Sequence, residues 1–461
     1  MTRYVISGLL GRGDGFRPAE DECTQVTSIN LLDDAGRLRF GLDDALSQLA
    51  GLRLRASAVG IDLLILAALV YAADTRLNRV RTSQDAWTRE IELVVPVSRP
   101  ELWGGASGVL ERMLRFLTGD RWTIRFRPLP ETGRLDLARR RRRTILRRFD
   151  GVSLFSGGLD SLIGAIDELS EGCNPLFVSH GGEGGVSGPQ RRLFNALVQR
   201  KLSAVDPIRL RLGLGFPNGL IDGVGSENST RGRSFLFIAA AAFAGSAFER
   251  PFDLRVPENG FISLNVPLDV TRLGSNSTRT THPFYMHRWN ELLSLIGIRG
   301  TVSNRYWNRT KGEMVSECAD QAALEDLAPA SLSCAHPSMK RWQEGDKPHC
   351  GYCLPCLIRR GALMAARWSS PKDRTGYSVE DLTSEILDTT KAKGRQVRGF
   401  QYAIAKLNEH PELAATLIYK PGPLKEDAAI VPELARVYSQ GMKEVETVLE
   451  GVVSKPIRIA G

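Results

Sequence analysis

The feature that most constrains the fold is a short apolar run that ends in two glycines and leads into a helical pattern. The run Val152–Phe155 is followed by Ser156, Gly157 and Gly158, and then by a helix predicted over Ser161–Ser170. The same alternation continues along the chain, with a strand at Pro175–Ser179, a helix at Pro189–Lys201 and a strand at Ile208–Leu212. Alternation at this spacing predicts an α/β fold with a parallel sheet covered by helices.

The Ser-Gly-Gly turn has the chemistry of a phosphate-binding loop. A turn at the carboxyl end of a parallel strand lies where α/β sheets bind their ligands. Glycines let backbone N–H groups approach phosphate oxygens, and the following helix directs its positive end at the same place. The carboxylate in the loop would cap the helix or hold Mg²⁺. The predicted ATP-binding residues are Ser156, Gly157, Gly158, Leu159, Asp160 and Ser161.

This loop differs from the common nucleotide loop because no lysine follows its glycines. A loop shaped around the β and γ phosphates as a leaving unit suits attack at the α phosphate. We therefore expect ATP to be cleaved to AMP and pyrophosphate. The loop is also expected to face solvent, so that an Asp160→Ala protein would still fold.

Three cysteines with two residues between successive thiols form the second informative pattern. Cys350, Cys353 and Cys356 have this spacing, and Cys334 is the natural fourth ligand. Four thiolates around one ion are typical of a closed structural Zn²⁺ site. The open alternatives are His336 or His349 in place of Cys334, and an iron–sulfur cluster in place of zinc. The remaining cysteines, predicted to be small buried side chains, are Cys23, Cys173 and Cys318.

Other polar residues within the α/β region are weaker candidates. Arg233 opens an alanine-rich helix, where it would clamp a phosphate or a carboxylate. Lys311 starts another helix and would neutralise charge on the leaving pyrophosphate. Glu258 and Asn259 follow a strand predicted at Leu254–Val256 and are expected in the floor of the pocket. With Asp160, Arg233 and Lys311 form the predicted catalytic set, although each taken alone is more typical of surface or capping chemistry.

The rest of the chain divides by composition. Residues 1–130 mix strands with helices and predict an α+β domain, while residues 131–150 are rich in arginine. The run Arg139–Arg143 is expected to be an exposed connecting segment, with a nucleic-acid contact as the alternative. Residues 151–370 form the predicted ATP-binding domain with its zinc site. Residues 371–461 predict a helical tail, with helices at Val379–Asp388, Val397–Asn408 and Val431–Leu449.

Bulk properties exclude several classes of protein. Of the 461 residues, 42% are hydrophobic and 25% charged, a balance typical of soluble globular proteins. The most apolar stretch, Ala56–Ala73, contains Gly60 and Asp62 and predicts a buried helix rather than a membrane span. The net charge of +9 favours polyanionic partners, which nucleotides and nucleic acids satisfy equally. We expect a cytoplasmic protein without a membrane partner.

The order of these motifs across Gly151–Arg360 resembles that of 7-cyano-7-deazaguanine synthase, the QueC family. The resemblance implies an adenine nucleotide α-hydrolase-like fold of the N-type ATP pyrophosphatases. It implies that ATP adenylates a 7-carboxy-7-deazaguanine-like carboxylate and that ammonia then gives an amide and a nitrile. Two segments depart from the family: Arg233-Ser234 stands where the family has Arg-Asn, and Thr281-His282 stands where it has Asp-Cys-Arg.

The overall plan, with a leader domain, Leu-Trp-Gly-Gly at Leu102 and His-Pro-Glu-Leu at His410, resembles the QueC-like component of an anti-phage defence system, QatC. The resemblance implies work in defence, where the activated acid would react with ammonia or with an amine of a partner protein from the same system. Two other hypotheses remain open. One is a nucleic-acid-binding defence subunit with a relic nucleotide site, and the other is a tRNA-thiolating enzyme, which would require a reactive cysteine near the pocket.

Overall fold

The computed structural model describes residues 2–83, 85–131, 148–181, 184–227, 229–268, 279–335, 347–368, 373–424 and 429–457. The strands are β1 Arg3–Leu9, β2 Thr24–Asn30, β3 Glu90–Val97, β4 Arg121–Pro128, β5 Gly151–Leu154, β6 Leu176–His180, β7 Ile208–Leu212, β8 Phe252–Arg255, β9 Gly300–Ser303, β10 Leu387–Asp388 and β11 Ser454–Lys455. The helices are α1 Leu42–Gly51, α2 Ala58–Arg76, α3 Arg79–Thr82, α4 Pro100–Thr118, α5 Leu159–Ser170, α6 Gly184–Gln199, α7 Arg233–Gly245, α8 Gly260–Leu264, α9 Pro283–Leu295, α10 Lys311–Glu317, α11 Gln321–Leu327, α12 Leu354–Ala365, α13 Ala392–Glu409, α14 Ala414–Leu417 and α15 Val431–Leu449.

The sheet formed by strands β5–β9, the second along the chain, confirms the predicted parallel α/β arrangement. Its five strands follow the order β7-β6-β5-β8-β9, and every neighbouring pair is parallel. Strand β5 is central, with β6 on one side and β8 on the other. The chain therefore reverses its direction of travel across the sheet beside β5, which is where open α/β sheets form ligand crevices.

The N-terminal region is also a parallel sheet, so the predicted α+β class is wrong for this part of the chain. Its strands follow the order β2-β1-β3-β4 with parallel pairing throughout. The alternating pattern of β4 indicated an antiparallel strand, but β4 is an edge strand of a parallel sheet. Its residues alternate between buried and exposed, as in a half-buried antiparallel strand, whereas β3 is buried almost continuously.

Helix α2 is buried, as its apolar composition predicts, and it packs against strands β1 and β3. It is long and apolar enough to cross a bilayer, yet nearly all its residues are buried in protein. It packs on the alanine-rich helix α7, and the approach is so close that a Cβ on Gly60 would lie 2.2 Å from Oγ of Ser246. Side chains of both sheets belong to one continuous hydrophobic core.

The C-terminal region is helical, as predicted, with one exception. Helix α15 packs along α12 at a point where a Cβ on Gly361 would lie 2.4 Å from the carbonyl oxygen of Glu444. The helix predicted over Val379–Asp388 is absent from this described segment. There the Asp381 carboxylate accepts a hydrogen bond from the Thr383 N–H at 2.8 Å, which favours a turn over a helix. The short strands β10 and β11 pair with each other.

Residues 132–147, which contain the run Arg139–Arg143, lie outside the described residues. Their predicted exposure and their contact with nucleic acid remain predictions.

Candidate functional site

A cavity of about 230 Å³ opens at the carboxyl ends of β5, β6 and β8. It lies beside the central strand, where the direction of the sheet connections reverses. Its polar lining comes from strand ends, helices and loops of the second sheet. The lining side chains that bear polar groups are Ser156, Ser161, Ser179, His180, Gln190, Thr230, Arg233, Ser234, Glu258 and Thr280.

The Ser156–Ser161 loop, which the sequence predicts to bind phosphate, connects β5 to α5 at one wall of this cavity. Gly157 has φ of +82°, and a Cβ there would lie 3.1 Å from Cα of Gln190, so this position requires glycine. The Ser161 hydroxyl accepts from the Gly157 N–H at 3.1 Å and donates to the Gly158 carbonyl at 2.9 Å. The Ser156 hydroxyl accepts from the Gly158 N–H at 3.2 Å. Both serines line the cavity. The Ser156 hydroxyl donates to Oγ of Ser161 at 3.1 Å, so both hydroxyl protons have acceptors within the loop.

Leu159 contributes to this site through its backbone alone. Its side chain is fully buried in the hydrophobic core under the sheet. Leu159 is the first residue of α5, and the helix therefore directs its amino end at the loop.

Asp160 does not cap helix α5. The N-cap residue is Gly158, and no side-chain hydrogen bond caps this end of the helix. Its carboxylate instead joins three segments of the chain. Oδ1 accepts from Nζ of Lys311, and Oδ2 accepts from Nδ2 of Asn259 at 2.7 Å and from the Asn259 N–H at 3.2 Å. Both oxygens thus have protein donors, and the predicted Mg²⁺ role of Asp160 stays a prediction.

Lys311 is brought to Asp160 rather than to the open cavity. It is the first residue of α10, whose start is fixed by a capping box between Thr310 and Glu313. The Lys311 side chain is only 5% exposed, and neither Lys311 nor Asp160 is among the residues that line the cavity. Any effect of this lysine on pyrophosphate would act from behind the loop.

Arg233 lines the cavity at the start of α7, as the sequence predicts. Its guanidinium lies 5.0 Å from the ring centroid of Phe237, one turn further along the same helix. Across the cavity, burial and the charge of Arg233 lower the pKa of His180 to about 4. His180 is therefore neutral at physiological pH, so that Arg233 is the one formal cation among the described lining residues.

The N-terminal region holds the turn that carries Arg233. Oδ2 of Asp74, at the end of α2, accepts from the Gly232 N–H at 2.7 Å. The neighbouring Arg231 places its guanidinium 4.2 Å from the ring centroid of Trp87 and donates to the Thr118 carbonyl at 3.2 Å. Sequence reasoning missed this contribution, because the partners are more than a hundred residues apart.

Asp74 is itself part of a buried ionic network in the N-terminal region. Arg89 is fully buried and donates to Asp120 at 2.7 Å and to Asp74 at 3.1 Å. Arg79 adds a second pair of hydrogen bonds to Asp120, at 2.6 and 2.8 Å. The turn before Arg233 is thus held by Asp74, a member of a buried network of paired charges.

Glu258 is the one carboxylate among the described residues that line the cavity. It follows β8, and its backbone carbonyl accepts from Nδ2 of Asn304 at 2.7 Å. Its side chain accepts from the Thr281 hydroxyl. Burial, together with the nearby Asp160 charge, raises the pKa of Glu258 to about 7, although the Thr281 hydrogen bond acts in the opposite direction. The sequence predicted Glu258 in the floor of the pocket but did not indicate that its pKa is raised.

The four predicted cysteine ligands form a buried cluster. The Sγ atoms of Cys334, Cys350, Cys353 and Cys356 all lie within 4.8 Å of one another, and two of the S–S separations are 3.9 Å. A tetrahedron of thiolates with Zn–S bonds of about 2.3 Å has edges of about 3.8 Å, so the cluster is compatible with zinc. His349 is not a ligand, because its Nε2 accepts from the Ser333 N–H at 3.2 Å, and His336 lies outside the described residues.

The cysteine cluster is connected to the Ser156–Ser161 loop through one short segment. The Leu332 N–H, two residues before Cys334, donates to the Gly157 carbonyl at 2.9 Å. Arg359 of α12, which is fully buried, donates to the Ser331 hydroxyl and the Ala328 carbonyl, both at 2.8 Å. The segment that carries the first cysteine therefore also supports the loop.

Comparison with models of protein families, with curated proteins and with solved structures finds no match. The class of this protein is therefore described from its fold and its candidate site alone. It is an α/β protein with two parallel sheets, a helical C-terminal region, a cavity at the carboxyl edge of the second sheet and a cluster of four cysteines that could bind a metal.

Proposed function

We propose that this chain is an ATP-dependent C–N bond-forming enzyme, similar to 7-cyano-7-deazaguanine synthase, that adenylates a carboxylate and releases pyrophosphate. The observation that carries the proposal is the Ser156–Ser161 loop, which enters a cavity at the point where the parallel sheet reverses its connections. The sheet order supports an adenine nucleotide α-hydrolase-like fold, in which the ends of β5, β6 and β8 surround the nucleotide.

The residues divide the proposed reaction between them. The loop N–H groups and the two serine hydroxyls would bind pyrophosphate oxygens in exchange for their hydrogen bonds within the loop. Lys311 would neutralise pyrophosphate charge from behind the loop only in part, because it also pairs with Asp160. Arg233 would bind the carboxylate of the acid or the α phosphate. We expect Mg²⁺ to arrive with ATP, but no step is assigned to an Asp160-bound ion because Lys311 and Asn259 occupy that carboxylate.

The proposed acid is 7-carboxy-7-deazaguanine or a close analogue, and the proposed acceptor is ammonia or an amine of a partner protein from the same defence system. A tRNA-thiolating enzyme is less well supported. All seven cysteines lie in the described part of the chain, and none of them lines the cavity. The nucleic-acid-binding alternative depends on residues 139–143, outside the described part.

The cysteine cluster would hold one structural Zn²⁺, since its four buried thiols leave no position for substrate. We expect the purified protein to contain about one zinc per chain and Cys353→Ser to contain well under one, with a lower thermal stability. Elemental analysis and thermal unfolding measure the two effects. Cys23→Ser, which changes an exposed cysteine, is the matched control. A protein with iron instead of zinc, or a Cys353→Ser protein with its full metal content, would contradict this assignment.

Incubation with α-labelled ATP and 7-carboxy-7-deazaguanine is expected to give labelled AMP. Ser161→Ala should lower AMP formation by about 10- to 100-fold, because a hydrogen bond to a charged group contributes about 1.5–3 kcal/mol. Ser107→Ala, a change in α4 away from the lining residues, should leave the rate unchanged. Labelled ADP as the main product, or equal rates for the two variants, would count against the proposed function.

A further inference from the structure

The cavity contains one formal cation and one carboxylate, and the proposed reaction uses two partners of opposite charge. Among the described lining residues, Arg233 is the arginine and Glu258 the carboxylate. An acid substrate is attracted by the guanidinium, whereas an amine enters at neutral pH as an ammonium ion and is attracted by the carboxylate. Glu258 is thus the one lining group suited to bind the nucleophile.

The surroundings of Glu258 keep it able to exchange a proton. Its charged neighbours are Asp160 and Lys311, which pair with each other, while Arg233 and His180 also line the cavity. The Thr281 hydroxyl donates to its carboxylate, and Thr281 in turn contacts the Ser263 hydroxyl. No arginine or lysine forms an ion pair with Glu258 among the described residues, so the carboxylate is not locked in its charged form.

Resting on the proposed function, we propose that Glu258 is the catalytic base of the second half-reaction, accepting the proton of the ammonium nucleophile before it attacks the acyl adenylate. The Thr281 hydroxyl is a positioning group that holds the carboxylate toward the cavity.

The step balances as follows. The Glu258 carboxylate takes one proton from ammonium and leaves neutral ammonia. The nitrogen lone pair forms the C–N bond, and the C–O bond to the α phosphate breaks, so AMP leaves with the electron pair. A second proton moves from nitrogen to the departing phosphate oxygen, and the Glu258 carboxyl group then returns its proton to water.

Glu258→Gln separates the two half-reactions. With ATP, 7-carboxy-7-deazaguanine and ammonium chloride, we expect amide formation to fall by about 100-fold or more, as for loss of a general base. Acid-dependent exchange of labelled pyrophosphate into ATP should persist, because adenylation does not use this base. Hydroxylamine is uncharged at neutral pH and needs no deprotonation, so hydroxamate formation should remain close to that of the parent.

Glu171→Gln is the matched control, because Glu171 pairs with Arg305 outside the cavity. Unchanged amide formation by Glu258→Gln overturns the inference, and so does a loss of pyrophosphate exchange together with the amide. If the parent forms no AMP at all, the proposed function fails and this inference fails with it.

The pH profile gives a second readout that a merely structural role would not produce. Amide formation by the parent should rise with pH through the pKa of Glu258, about 7, because the base must be deprotonated. Thr281→Val removes a hydrogen bond that lowers this pKa, so the rise should move to higher pH. A profile that does not move would contradict the assignment of Thr281 as the positioning group.

Discussion

Replacing Asp160 with alanine is expected to lower the free energy of unfolding by about 3–5 kcal/mol and the rate of AMP formation by about 100-fold or more. The Lys311 ammonium, only 5% exposed, would lose its carboxylate partner and remain as an uncompensated charge. Asn259 would lose its acceptor as well. The sequence predicted that this variant folds normally because the loop faces solvent. Asp160 is instead buried against Lys311, so we expect the variant to fold with a lower stability.

A double-mutant cycle distinguishes the structural effect from the catalytic one. Adding Lys311→Met to Asp160→Ala removes the unpaired charge, so urea unfolding should show most of the stability restored while AMP formation stays low. Glu171→Ala, which breaks an exposed pair with Arg305, should change stability by about 1 kcal/mol or less. An Asp160→Ala protein as stable as the parent would mean that the pair contributes nothing to folding.

The local patterns of this sequence predicted local structure well. Strand β7 and helix α15 have the predicted bounds, Ile208–Leu212 and Val431–Leu449. A continuous apolar run and a 3.6-residue period are properties of a few neighbouring residues, so each can be read without knowledge of the rest of the chain. The cysteine cluster was predictable for the same reason, since three of its members lie within seven residues.

Contacts between distant segments were not predictable in this way. Asp160 and Lys311 are 151 residues apart, and Asp74 and Gly232 are 158 apart. Each of these residues has an ordinary local role, such as a helix cap or a surface charge, that explains it without the partner. One feature of the sequence did point to Glu258. It follows a predicted strand, so it lies at the same edge of the sheet as Ser156.

The N-terminal region shows the same limit on a larger scale. A mixture of strands and helices was predicted there, but the parallel pairing and the shared core with the second sheet were not. Because one core includes both sheets, and because Asp74 accepts a hydrogen bond from Gly232 just before Arg233, this region supports the wall of the candidate site without lining it. Its stability and the position of Arg233 should therefore change together.

Arg89→Met is expected to test that coupling. The variant leaves Asp74 and Asp120 buried with Arg79 as their remaining arginine, and removing one partner of a buried ionic group costs about 3–5 kcal/mol. Because the two sheets share a core, tryptophan fluorescence and far-UV circular dichroism should report one coincident unfolding transition at a lower urea concentration. The Michaelis constant for ATP or for the acid should rise, since Asp74 would hold Gly232 less firmly.

The matched control is Arg12→Met, because Arg12 pairs with Asp34 on the surface, where the two side chains are 84% and 74% exposed. Such exposed pairs contribute about 0–1 kcal/mol, so this variant should unfold like the parent and keep its Michaelis constants. Two separate unfolding transitions in Arg89→Met would show that the sheets fold independently. Unchanged Michaelis constants in a destabilised Arg89→Met protein would show that the ionic network supports the fold without positioning Arg233.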